Sequence, residues 1–280
     1  MSAQPLPGGP QPPSPGAGQE RTGESLVSRV VRILEAFEAG DTSLTVTEIA
    51  RRSGLHVATT SRLVAELVAH GLLTRGTDRR VRTGVRLWEL AMRASPALSL
   101  REAAMPSLED LHDAVGHHVQ LSVLDGDEAL FLERLSAPAA VVSLTRIAGR
   151  LPLHLASSGW VLLAHGPTDL LERVLSRPLT ATTAASVTDP VRLRAELARV
   201  RGQGFALCAG LVHPEATGVA VPIRDATGRV IAALSAIVPN DAGAKSVVPA
   251  LHAASRGVTR RLGAGEAGGR SPVRPAHQHR

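Results

Sequence analysis

The chain has 280 residues, enough for one large domain or two modest ones. Hydrophobic residues make up 44% and aromatic residues only 2%, so Leu, Val and Ala must fill any core. A single cysteine, Cys208, excludes an internal disulfide and a Cys-based zinc finger, and no apolar run reaches the ~18 residues of a membrane span. The formal net charge is +6, and the window 51–86 carries all of it, with eight arginines against Glu66 and Asp78. A local positive surplus suits a polyanion, because each phosphate neutralised releases counterions. The N-terminus lacks the basic-then-apolar order of a signal peptide, so the expected location is the cytoplasm, with no membrane partner.

Residues 1–24 are rich in Pro, Gly, Ser and Gln and are expected to form a disordered tail. From residue 25, Leu26, Val30, Ile33, Leu34 and Phe37 recur at helical spacing until Gly40-Asp41 stops them. Thr45-Val46-Thr47-Glu48 fits a capping box, with Leu44 and Ile49 placed as a hydrophobic staple, so a second helix is expected to start at Thr45 and end near Gly54. A third pattern after Leu55 buries Thr60, Leu63, Val64, Leu67 and Val68 on one stripe. Its outer side then presents Arg62 beside Val57, Ala58, Thr59 and Ser61, a small surface with one long cation that can enter a DNA groove. An ordinary helix hairpin with solvated arginines is the competing reading.

Residues 71–75 read as a strand, Gly76-Thr77-Asp78 as a turn, and residues 79–84 as the returning strand. A basic hairpin after the outer helix is the wing of a winged helix-turn-helix. Arg75, Arg79, Arg80 and Arg82 would follow phosphates, supplying affinity more than base choice. Residues 85–95 are expected to be helical. Ser95-Pro96 marks a boundary, and a further helix is expected over 100–115. Alternation predicts strands at 119–124 and 129–135 around the Asp125-Gly126 turn, and further strands at 140–145, 205–212, 218–224 and 229–237. Helices are expected at 155–165, 168–176 and 189–202, which makes the second domain α+β with an antiparallel sheet.

Three patterns invite chemistry. Gly263, Gly265 and Gly268 spell G-x-G-x-x-G but follow no expected strand, so a dinucleotide site is not expected. His112, His117 and His118 lack a metal-ligand spacing, and Ser157-Ser158-Gly159 lacks the nucleophile elbow of a serine hydrolase. No catalytic residue, metal or cofactor is assigned.

The helical motifs carry a family resemblance. Leu44-Thr45-Val46-Thr47-Glu48-Ile49-Ala50, the run from Gly54 to Leu63 with Ala58 in place of a serine, and Arg80-Val81-Arg82-Thr83-Gly84 resemble the IclR family of bacterial transcription regulators. The likeness spans roughly residues 25–262. It implies a winged helix-turn-helix over 25–84, a linker helix over 85–97 that pairs subunits, and a GAF-like effector-binding and oligomerisation domain over 98–262, with a loose tail at 263–280. From residues alone, the helix after the wing can equally pack on its own domain.

The resemblance also implies a pocket for a small organic acid near Gly149-Arg150-Leu151-Pro152-Leu153-His154 and the following Ala156, Ser157, Ser158 and Gly159, where helix amides can hold a carboxylate. Leu121, Cys208, Gly218, Ser235 and Ile237 complete that set. Cys208 or Ala209 stands where the family has an acid, Gly218 where it has a cysteine, and Ile237 where it has a serine, so the effector is expected to be larger or more apolar than the smallest acids. The expected protein is therefore a repressor-type regulator, not an enzyme, binding a near-palindromic double-stranded DNA operator as a homodimer or tetramer under control of a small molecule. The alternatives are a constitutive DNA-binding regulator with a vestigial pocket, and an enzyme that carries a DNA-targeting domain.

Overall fold

The computed structural model describes residues 24–38, 40–93, 96–137, 145 and 147–268, with side chains to 263. The chain divides into two compact units, one ending at Ala94 and one beginning at Ser95.

In the first unit, α1 (Leu26–Glu35) is capped by the Ser25 hydroxyl, which accepts from the Ser28 amide. The expected capping box starts α2 (Val46–Ser53): Thr45 Oγ1 accepts from the Glu48 amide at 3.2 Å, and the Thr45 amide donates to Glu48 Oε2 at 2.7 Å. The helix stops at Gly54, whose φ of 63° lies in the left-handed region that favours glycine. After α3 (Val57–Ala69), the antiparallel pair β1 (Leu73–Arg75) and β2 (Val81–Thr83) forms the wing. Leu44 adds a bridge to Val81, so the lead-in to α2 is stitched to the wing. Ile33, Leu44, Ile49, Leu63, Val64, Leu67, Leu73 and Val81 pack together as the core of this unit.

The returning strand begins two residues later than expected, at Val81 rather than Arg79. Arg79 adopts φ 59° and Asp78 Oδ1 accepts from the Arg80 amide, so the turn takes up both arginines. The wing leads into α4 (Val85–Met92), in which no residue is buried.

The second unit opens with α5 (Pro96–Val115), four residues before the expected start at 100 and continuous through Pro106. The hairpin β3 (His118–Asp125) and β4 (Glu128–Leu135) turns at Gly126, φ 62°. Next come β5 (Arg150–Pro152), α6 (Ser157–His165), α7 (Leu170–Leu175) and α8 (Pro190–Gln203), the last capped by Asp189. Strands β6 (Ala206–Ala209), β7 (Ala216–Arg224) and β8 (Val230–Pro239), a short 3-10 helix at Ala242–Val247 and α9 (Val248–Gly268) complete the described residues.

Among the described residues the sheet has the order β5-β4-β3-β8-β7-β6, with every pairing antiparallel. Successive side chains point to opposite faces. One face, with Ala206, Cys208, Ala220 and Ala233, packs on Trp160, Val161, Leu193 and Leu197 of α6 and α8. The other, with Val119, Leu121, Val219 and Val221, packs on Ala104, Leu108 and Leu111 of α5 and on Leu251 and Val258 of α9.

The expected strand at 140–145 lies outside the described residues apart from Thr145. Strand β5 and helix α9 were not expected: β5 has three residues, and α9 carries Pro249 and Gly257 among alanines, which blurs its helical periodicity. Helix α9 runs on to Gly268, past the expected domain end at 262, because extending a packed helix costs little once its first turns are formed. The glycine triplet is therefore the last stretch of a helix, with no strand before it.

Candidate functional site

The first unit presents a basic surface. On α3 the inward stripe matches expectation, with Thr60, Leu63, Val64 and Leu67 buried, and it turns Val57, Ala58, Ser61 and Arg62 to solvent, while Thr59 is half-buried. Arg62 Nη1 lies 3.1 Å from Glu66 Oε1, and both side chains are more than half exposed, at 62% and 51%. Arg75 and Arg79 are exposed, and their side chains make no hydrogen bond or ion pair among the described residues.

Two wing arginines behave differently. Arg80 turns inward: its Nε donates to Ser43 Oγ at 2.8 Å, and its Nη2 donates to the Ser43 carbonyl at 2.9 Å and reaches Glu48 Oε2 at 3.4 Å. It ties the wing to the capping box. Arg82 is held at 2.6 Å by Asp78 Oδ2.

That pair is read by pH. The Arg82 guanidinium, helped by the Arg80 amide, lowers the Asp78 carboxyl from 3.8 to about 2. A depressed carboxylate stabilises the folded wing above its unfolded pKa and loses that contribution as pH falls through the folded one. A carboxyl-carbon NMR titration is therefore expected to find the Asp78 midpoint near 2 and, in Arg82→Ala, to find it moved back towards 3.8. An unchanged midpoint in the variant would contradict the pairing.

The second unit contains a small, partly open cavity between the sheet, the start of α6 and the loop that follows β6. Of the expected residues, Leu151, Ala156, Ser157, Ser158, Cys208, Gly218 and Ile237 line it. Helix α6 opens there behind Ala156, which offers no side-chain cap, so the amides of Ser157, Ser158 and Gly159 have no intrahelical acceptor and face an uncapped positive dipole end.

Glycine is required at two nearby positions by close approach. A Cβ on Gly159 would sit 2.2 Å from the Leu153 carbonyl oxygen, and one on Gly218 would sit 2.7 Å from Ser157 Oγ. Gly218 thus lets α6 settle on β7. Cys208 is buried, and desolvation raises its thiol well above 9.0, so it remains a protonated, weakly polar wall.

Four expected pocket residues do not reach the cavity. Leu121 points to the opposite face, among the residues beneath α5 and α9, because its strand parity is that of Val119. Gly149 accepts from the Phe131 amide and so extends the edge pairing of β4. Gly159 is spent on packing against residue 153. Ser235 shares the face of Ile237 but is covered, and its Oγ makes no hydrogen bond among the described residues.

The cavity walls also include Gln120, Phe131, Thr145, Leu155, Leu211 and His213, none of which was expected. Strand alternation placed Gln120 on one face of β3 but could not identify which face lines a cavity. Among the described residues no Asp, Glu, Lys or Arg lines the space, and no group of three or more His, Cys, Asp or Glu side chains is arranged to hold a metal. An anion there can be held by amides, hydroxyls and the His213 ring. No helix of the described residues is long and apolar enough to cross a membrane.

Comparisons with known proteins place both regions. Residues 26–76 match the IclR helix-turn-helix domain, and residues 92–260 match the bacterial transcriptional regulator IclR C-terminal domain. A solved structure of an IclR homolog from Microbacterium hydrocarbonoxydans, complexed with 4-hydroxybenzoate, is 47% identical, with a TM-score of 0.81 over 85% of this chain and 99% of that one. Among curated proteins, the HTH-type transcriptional regulator XynR of Escherichia coli is 31% identical over 75% of this chain and 84% of its own length. The HTH-type transcriptional regulator BhcR of Paracoccus denitrificans is 30% identical over 90% and 94%.

Proposed function

Because this chain belongs to the IclR family of bacterial transcription regulators and carries that family's helix-turn-helix DNA-binding domain, we propose that it is an effector-controlled regulator whose ligand is an aromatic monocarboxylic acid of the 4-hydroxybenzoate class. The observation that carries this reading is the cavity at the uncapped start of α6. Its amides and the Ser157 and Ser158 hydroxyls suit a carboxylate, and Phe131, Leu151, Leu155 and Ile237 offer apolar walls to a ring. The 47%-identical homolog that holds 4-hydroxybenzoate supports the same class. The absence of a lining cation or acid among the described residues fits a ligand held largely by its apolar body.

DNA binding rests on α3 entering a groove, with Val57, Ala58, Thr59, Ser61 and Arg62 towards bases and Arg75, Arg79 and Arg82 towards phosphates. Pairing of two chains sets the spacing of two half-sites in a near-palindrome. Helix α4 supports pairing, since it buries nothing and exposes Val85 at 69% and Trp88 at 62%, an apolar surface that a lone chain rarely leaves to water. Effector control requires that the ligand favour one arrangement of the assembly over another.

The test is a thermal-shift titration of the purified protein with 4-hydroxybenzoate and with pyruvate, beside operator affinity measured on DNA upstream of the neighbouring genes. A ligand at about 100 times its Kd stabilises by about 2.7 kcal/mol. Stabilisation by the aromatic acid with a changed operator affinity is expected. Stabilisation by pyruvate alone would overturn the ligand class, and operator affinity indifferent to a bound acid would favour a constitutive regulator.

A further inference from the structure

Resting on that reading, we propose that the bulge in β4 at Leu132, clamped by the ion pair of Arg101 and Glu133, carries effector occupancy from the cavity to the start of α5. Across the hairpin, Leu121 pairs with Glu133 and Ser122 with Phe131, so Leu132 is the extra residue of a bulge. In an unbroken strand, residues 131 and 133 share a face of the sheet. The bulge sends them to opposite faces. Phe131 lines the cavity, whereas Leu132 packs against the core beneath α5 and α9, and Glu133 meets Arg101 of α5. Arg134 then turns back, and its Nη1 donates to the carbonyl of Thr145, a residue of the cavity wall. Four consecutive residues thus join the cavity to the helix on the far side of the sheet.

The clamp makes strand and helix move together. The Glu133 side chain is 4% exposed, and a buried carboxylate is costly unless it stays paired and hydrogen-bonded. Arg101 Nε donates to Glu133 Oε2 at 2.7 Å, and the Arg134 amide donates to Oε1 at 2.8 Å, so both oxygens are satisfied. A shift of β4 that drew Glu133 away from Arg101 would strand that charge. The bulge is where the ladder is already interrupted, so it is where β4 yields to a ligand against Phe131 with least loss of pairing. Arg101 lies in the second turn of α5, the helix that opens directly after the boundary between Ala94 and Ser95. A displacement there is passed along the chain towards the DNA-binding unit. Occupancy of the cavity then changes operator affinity to the extent that the ligand favours one setting of the bulge.

Operator affinity of the full chain with and without saturating 4-hydroxybenzoate, beside calorimetric titration of the DNA-free protein with the same acid, tests this. In the unmodified protein the acid is expected to change operator affinity about fivefold or more. Arg101→Gln is expected to bring that ratio to about one while still binding both the acid and the operator. Arg101→Lys, which keeps a cation on the helix, is expected to restore part of the ratio. A merely structural role would weaken binding and leave the ratio as it was. If Arg101→Gln strands Glu133 and does not fold, Arg101→Met combined with Glu133→Leu carries the test, because apolar groups of similar size can replace a buried ion pair. An undiminished ratio in these variants would overturn the coupling but leave the effector-controlled reading standing. An unmodified protein that does not bind the acid, or whose operator affinity ignores it, would overturn that reading and the coupling with it.

Discussion

Replacing Arg62 with alanine is expected to weaken operator binding by about 1–3 kcal/mol and to relax the base preference at one position of each half-site. Among the described residues, Arg62 is the only long polar side chain on the outer side near the start of α3, among Val57, Ala58 and Ser61. Its ion pair with Glu66 does not prevent this role. Both partners are largely exposed, and pairs of that kind on a helix contribute only about 0.3–0.5 kcal/mol, well below what a bidentate base contact returns. The matched control is Arg79→Ala at the wing tip, where the exposed arginine is proposed to meet backbone phosphates. That variant should lose affinity evenly on all sequences and reduce the salt slope by about one. Footprints and binding curves unchanged in Arg62→Ala would show that another surface reads the operator. Arg80 is no substitute control, because its removal breaks the contacts to Ser43 and Glu48 that anchor the wing.

Gly159→Ala is expected to destabilise the second unit by about 1–3 kcal/mol or more and to abolish ligand binding. The added methyl carbon would lie 2.2 Å from the Leu153 carbonyl oxygen and 2.7 Å from its Cα, and both are backbone atoms that cannot rotate away. The first turn of α6 would have to lift from the segment before it, displacing the Ser157 and Ser158 amides together. At Gly218 the first obstacle is the Ser157 hydroxyl, a side-chain atom with other rotamers, so the same substitution there should cost less stability. Thermal unfolding distinguishes the two. Wild-type stability in Gly159→Ala would mean that the start of α6 does not pack as described.

The parts of this protein legible in its sequence are those decided by neighbours along the chain. The capping box of Thr45 and Glu48, the left-handed stop at Gly54, the buried stripe of α3 and the Asp125-Gly126 turn each depend on residues within a few positions of one another. Where short-range rules failed, a distant partner had intervened. Arg80 reads as one more wing cation until Ser43, thirty-seven positions earlier in the chain, is brought beneath it. Leu121 belongs to an alternating strand, but which face of that strand meets the cavity depends on where α5 and α9 cover the sheet. Helix α9 escaped notice because alanine and glycine carry little periodicity, and its stability comes from packing on a sheet assembled from remote strands.

The sequence by itself therefore determined the two-part organisation and the winged helix-turn-helix with its outward Arg62, because propensity, capping and hydrophobic period act over one or two turns. Only the tertiary structure decided which wing arginines have protein partners, and that Gln120, Phe131 and Thr145 share a cavity with Cys208 and Gly218. A cavity is made by closing long stretches of chain on one another, and the residues that line it have no common local pattern to betray them.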